Sequence, residues 1–159
     1  MDNLEVQLPL FSNATVSAYF ECKSPDELEP NERSVFAAFM ALTPLDLKVA
    51  TRHVAAYARE CWAMESNMRA VLPLNIWKHV TPGPIFLLNC ATSKTLFISM
   101  EAECSWESEH GLQMVWRNGN ELCKVGPFNG HPTNVHAYSD PNLEGIVYNG
   151  INPRFSTKA

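Results

Sequence analysis

TLFISMEAECSWESEHGLQMVWRNGNELCKVG, residues 95–126, carries the pattern that decides the fold. In its first third Leu96, Ile98, Met100, Ala102 and Cys104 alternate with Ser99, Glu101 and Glu103. A strand turns successive side chains to opposite faces, so this spacing predicts one apolar and one polar face, a half-exposed antiparallel strand. Further on, Asn118 and Gly119 separate LQMVW from ELCKV. An Asn-Gly pair suits the tight type I′ turn, and a hairpin with a two-residue loop is predicted there. The residues between strand and hairpin, Trp106 to Gly111, then form a connection at one end of the sheet.

Upstream, IFLLNC reads as another strand of this meander, while Pro73, Pro82, Gly83 and Pro84 punctuate a connector carrying the extended piece NIWKHV. Before it the pattern is helical. Thr43 is a cap, Pro44 occupies the first helical position and Asp46 follows in the first turn, so a helix is predicted over 44–62. Its apolar side is expected to hold Leu45, Val49, Val54, Tyr57, Ala58 and Cys61 or Trp62, with Lys48, Arg52, Arg59 and Glu60 facing water. Val35, Phe36, Phe39 and Met40 predict a shorter helix over 31–41. LEVQLPLFSNATVSAYF alternates as two short strands about the turn FSNAT, with Pro9 at a strand end or sheet edge. After Gly126 the chain is rich in Pro, Gly and Asn, which predicts loops, at most one short strand or helix, and a mobile end. The sum is a single α+β domain over 1–159. Two short strands and the helices occupy 1–73, the antiparallel sheet core 74–131, and a loop-rich tail 132–159.

The bulk numbers narrow the functional classes. With 159 residues, 46% hydrophobic and 18% charged, the chain can bury a core without disulfide staples. A net charge of -5 with no Lys/Arg run excludes a broad phosphate-binding surface, so nucleic acid is not expected as a partner. No window reaches the roughly 20 apolar residues that span a bilayer, and the acidic start lacks a signal-peptide core, so no membrane association is expected and the location is expected to be cytoplasmic. The five cysteines, Cys22, Cys61, Cys90, Cys104 and Cys123, are scattered and form no C-x-x-C pair, as suits reduced thiols among core residues.

Glu107, Glu109 and His110 stand close enough in sequence to pair a carboxylate with an imidazole. No Gly-x-Ser-x-Gly, His-Glu-x-x-His, Walker or dinucleotide motif accompanies them. A tight connection in which His110 and Glu109 bond backbone explains the same residues. Ser105 and Ser108 beside His110 are a weak sign of a nucleophile, because catalytic partners meet in space. His131 and His136 have a spacing seen in metal sites, yet Pro132 breaks any helix and no Cys pair joins them. No metal or cofactor is expected.

MEAECSWESEHGLQMVWRNGNELCKVGPFNGH resembles a widespread family of uncharacterised bacterial domains whose centre reads acidic strand, W-x-x-E-H-G-L-Q, apolar strand, N-G and L-x-x-V-G. Trp106, Glu109, His110, Gly111, Leu112, Gln113, Gly119 and Gly126 carry the resemblance, which covers about residues 74–131. It implies a small cytosolic helix-plus-sheet protein whose relatives look like immunity members of toxin systems, and it transfers no catalytic role. The expectation is a non-enzymatic protein-binding domain, an immunity protein that occludes a basic toxin domain. Glu101, Glu103, Trp106, Glu107, Glu109, His110 and Trp116 would form the partner surface, with the aromatic rings anchoring Arg or Lys. The alternative is a small hydrolase using His110 with Glu109 or Glu107.

Overall fold

The computed structural model of the chain describes residues 3–21, 24–65 and 73–159. Strands β1 (Leu4–Leu8) and β2 (Ala14–Tyr19) come first, followed by helices α1 (Pro30–Met40) and α2 (Leu47–Met64). A 3-10 turn over Pro73–His79 leads into β3 (Val80–Thr81), β4 (Ile85–Asn89), β5 (Leu96–Cys104), β6 (Leu112–Arg117) and β7 (Glu121–Gly126). The chain ends in the short helix α3 (Asn134–Tyr138) and strands β8 (Ile146–Tyr148) and β9 (Thr157–Lys158). The fold is therefore mixed α+β. A seven-stranded sheet runs β1-β2-β4-β5-β6-β7, with β3 pairing the end of β5. All its pairings are antiparallel except β2 with β4, which joins the N-terminal strands to the meander.

Alternation along β5 sets the layers. Leu96, Ile98, Met100 and Ala102 lie with Ile85, Leu87, Leu112, Met114, Trp116 and Val125 in one core, which α1 and α2 complete with Val35, Phe39, Val54, Tyr57 and Trp62. The opposite face of β5 is not simply solvated. Phe97 and Ser99 are buried, and only Glu103 among the alternating residues is fully exposed. Phe97 packs with Cys90 and Val115 in a second, smaller cluster. Beyond it the Gln113 side-chain amide donates to Ser99 Oγ at 3.0 Å and to the His131 carbonyl at 3.2 Å. Lys124, 1% exposed, donates to Gln113 Oε1, Asn129 Oδ1 and the His131 carbonyl. Its three protons thus have three neutral acceptors, and burial lowers its ammonium to about 8.

Several local expectations are corrected. The hairpin at Asn118 and Gly119 forms with both residues at positive φ, but Arg117 pairs with Glu121, so its loop is the three residues 118–120, and the register shifts between Val115 and Trp116. NIWKHV is mostly 3-10 turn rather than extended. The start of the long helix is as the sequence reads, with the Thr43 N–H donating to Asp46 Oδ2 at 2.8 Å. Its buried side is rotated from the expected one: Leu45 and Val49 are 68% and 64% exposed, whereas His53 and Glu60 are buried. Cys22 lies outside the described residues, and Cys61, Cys90, Cys104 and Cys123 are free thiols.

The tail supplies the reason for that rotation. Glu60 Oε1 accepts from the Tyr148 hydroxyl at 2.6 Å and the Ile151 N–H at 2.9 Å, while Oε2 accepts from the Asn152 N–H at 2.9 Å. His53 Nδ1 lies 2.7 Å from Thr157 Oγ1, and the Arg52 guanidinium donates to the Lys158 carbonyl. Polar groups can be buried where each finds a partner, and the tail provides those partners to α2. The end expected to be mobile is thus a β8–β9 hairpin fastened to the helix, and Tyr148 is a core residue.

Candidate functional site

The groove at the far end of the sheet forms where the chain crosses β5 twice. β3 pairs with the end of that strand, Thr81 opposite Glu103 and Val80 opposite Cys104. Residues 82–84 then press on its backbone so closely that a Cβ at Gly83 would stand 2.2 Å from the Glu101 carbonyl oxygen. After β5 the connection returns over the same strand. Gly111, at φ +65°, would place a Cβ 2.6 Å from the Ala102 carbonyl oxygen. Both close approaches require glycine. Between these two crossings lies a groove of about 550 Å³ lined by Glu101, Glu103, Glu107, Ser108, Glu109 and His110 and floored by residues of 81–84.

The connection has a buried half and an exposed half. Trp106, 4% exposed, meets Tyr57 and Trp62 edge-on, with ring centroids 5.8 and 6.0 Å away. Tyr57 donates its hydroxyl to the Gly111 carbonyl at 2.9 Å, and burial pushes its phenol well above the usual range. These contacts pin both ends of the connection to α2. Between them Glu107 organises the turn: Oε1 accepts from the Glu109 N–H at 2.9 Å, and Oε2 accepts from the His110 N–H at 2.6 Å and lies 3.1 Å from His110 Nδ1. The carboxylate–imidazole pair is therefore Glu107 with His110, and it is Glu107 that bonds the backbone. The His110 side chain is 58% exposed and that of Glu107 24%.

Of the residues expected to meet a partner, Glu101, Glu103, Glu107, Glu109 and His110 line the groove. The two tryptophans do not present rings to it. Trp106 is packed under the connection, and Trp116, also 4% exposed, packs on Phe39 with centroids 5.0 Å apart. Both are held by the core because an indole buries more apolar area there than any exposed turn allows. Ser105 does not approach His110; its hydroxyl lies 3.0 Å from His79 Nδ1. Glu107, Glu109 and His110 can each bring one ligand atom within 4.8 Å of the others, the one such trio among the described residues. A cation there would compete with the two backbone N–H groups for Glu107. His136 bonds Cys90 and Thr133, and His131 contributes its carbonyl to Gln113 and Lys124. What the sequence reading missed is the wall at 81–84, whose signal was Gly83 between two prolines.

The model of a domain of unknown function, DUF6985, matches residues 2–132 of this chain. The chain belongs to the DUF6985 family. The DUF6985 match takes in β1 to β7, the N-terminal strands and helices together with the sheet, and it ends before α3. No curated protein and no solved structure matches the chain. Among the described residues no single helix is long and apolar enough to cross a membrane.

Proposed function

We propose that this DUF6985 chain is a non-enzymatic protein-binding domain that takes a basic segment of a partner protein into the groove. One observation carries the reading: four carboxylates, Glu101, Glu103, Glu107 and Glu109, line a concave surface whose lining includes no Lys or Arg. Like charges on low-dielectric walls focus a negative potential, which raises the local concentration of cationic groups and speeds their encounter. Trp106 acts from beneath, holding the connection against α2, while Trp116 belongs to the core. The immunity reading refines this one. A domain of net charge -5 that offers an acidic groove has the chemistry to occlude a cationic toxin domain, and the likeness of the W-x-x-E-H-G-L-Q core to immunity-like relatives motivates that choice of partner.

The test is a pull-down from native cell lysate, comparing the tagged chain with its Glu103→Lys/Glu109→Lys variant by mass spectrometry. Both side chains are exposed, so the variant should keep its melting temperature. A basic partner retained by the parent chain and lost by the folded variant is expected. Equal retention by both would remove the groove from recognition.

The hydrolase alternative draws on the same groove, with His110 as base and Glu107 orienting it across 3.1 Å. Among the described residues no hydroxyl or thiol hydrogen-bonds His110, which weighs against a nucleophile held ready for such a pair. His110→Ala abolishes turnover under the hydrolase reading, whereas under the binding reading the parent chain shows no turnover for it to abolish.

A further inference from the structure

A second polar constellation lies on the sheet's opposite flank, independent of the groove. Cys90 follows the last residue of β4, where the exposed residues 91–94 turn back into β5. The Lys94 N–H donates to the Cys90 carbonyl at 2.7 Å and the Cys90 N–H to the Thr95 carbonyl at 2.9 Å, closing the loop around the sulfur. His136 reaches it from α3. Its Nε2 is 3.3 Å from Cys90 Sγ, and its Nδ1 is 2.6 Å from Thr133 Oγ1. The same hydroxyl oxygen accepts the His136 backbone N–H at 3.1 Å and so caps α3. A hydroxyl oxygen has two lone pairs, so Thr133 can accept both the backbone N–H and the ring Nδ1–H. That leaves Nε2 directed at the sulfur. Nucleophile, base and orienting group are in the relative positions that activate a thiol.

The other described cysteines provide a contrast within the molecule. Burial pushes the Cys61, Cys104 and Cys123 thiols up to about 12, 11 and 12. Cys90 goes the other way, to about 6, because the Ser93 hydroxyl and N–H, the Thr92 N–H and His136 favour the thiolate over the opposing effect of burial. Cys123 packs against the same small cluster as Cys90 but directs its sulfur at the Pro132 carbonyl. Position on this flank is therefore not what activates a thiol.

We propose that Cys90 is a reactive thiolate, paired with His136 and oriented through Thr133, whose substrates are small hydroperoxides. Cys90 is buried, 8% exposed, next to the exposed residues 91–94, which favours a reagent of peroxide size over a polymer segment. In the reaction the thiolate attacks one peroxide oxygen, an S–O bond forms and the O–O bond breaks. Sulfur loses two electrons and the peroxide gains them. The departing hydroxide, or the alkoxide of an organic hydroperoxide, takes the Nε2 proton of the imidazolium and leaves as water or an alcohol, so the other products are a Cys90 sulfenic acid and neutral His136. A general acid beside the sulfur is what this leaving group requires.

The experiment treats the reduced full chain with hydrogen peroxide at pH 7, traps sulfenic acid with dimedone and maps adducts by peptide mass spectrometry. Cys90 should be trapped at least about tenfold faster than Cys61, Cys104 or Cys123. His136→Asn, and separately Thr133→Val, should slow trapping at Cys90. Because either variant could disturb α3, the parent chain is also alkylated with iodoacetamide across pH 5–10. A Cys90 rate that rises with a midpoint near 6 supports the proposal. A midpoint at or above the ordinary thiol value of about 8.5, or peroxide trapping at Cys90 equal to that at Cys61, Cys104 and Cys123, overturns it.

Discussion

At the connection, residues 105–111, and at the C-terminal segment, residues 133–159, a glutamate gathers backbone N–H groups, but the two glutamates bond at different ranges. In the connection Glu107 holds the N–H groups of Glu109 and His110, two and three residues away. In the C-terminal segment Tyr148, Ile151 and Asn152 reach Glu60 across 88, 91 and 92 residues, Thr157 reaches His53 across 104, and His136 reaches Cys90 across 46. Short-range bonds shape a turn whose charges remain at the surface, available to a partner. Long-range bonds hold the buried Glu60, His53 and Tyr148 and tie the tail to α2. A cluster conspicuous in the sequence can therefore be the less constrained one in space.

Removing the long-range group with the most partners should have the largest effect. Glu60→Ala strands the buried Tyr148 hydroxyl and leaves two half-buried backbone N–H groups without their acceptor, and should cost about 3 kcal/mol in denaturant unfolding. A loss under about 1 kcal/mol would mean that the tail is not fastened as described. Next comes pH. Burial and then Arg52 lower His53 to about 4 from an unfolded value near 6.5. Between those values the unfolded chain binds more protons than the folded one, so stability should be complete above 6.5, fall as pH drops towards 4, and level off below it. His53→Gln should flatten that slope in thermal melts recorded at successive pH values. The smallest effect belongs to the connection: Glu107→Ala removes two hydrogen bonds from an exposed turn and should cost about 1 kcal/mol. If it matched Glu60→Ala, the distinction between the regions would collapse.

The same distinction explains what could be read from the sequence. The alternation of Leu96 to Cys104 and the pair Asn118-Gly119 are local signals, and β5, β6 and β7 formed where they pointed. The loop gained a residue because the register shift at Val115 and Trp116 is a matter of strand pairing. The helix start at Thr43, Pro44 and Asp46 was equally local. Its buried side was not. Ala50, Ala55, Ala56 and Ala58 give little directional contrast, and only the tail makes burial of His53 and Glu60 affordable. The parallel pairing of β2 with β4 joins segments far apart in the chain and leaves no local trace. In the groove, the carboxylates are legible as a cluster, while the burial of Trp106 and Trp116 is not, because a sequence does not say which side of a connection or strand an indole occupies. Cys90 and His136 left only faint marks, a cysteine ending an apolar run and a threonine three residues before a histidine.

The central claim is that the acidic groove receives cationic side chains, and an NMR titration with an arginine-rich peptide tests it directly. Amide shifts confined to residues 81–84 and 101–111, reduced by added salt and absent in Glu103→Lys/Glu109→Lys, are the predicted result. Shifts centred on other residues, or unchanged by the charge reversal, would contradict it.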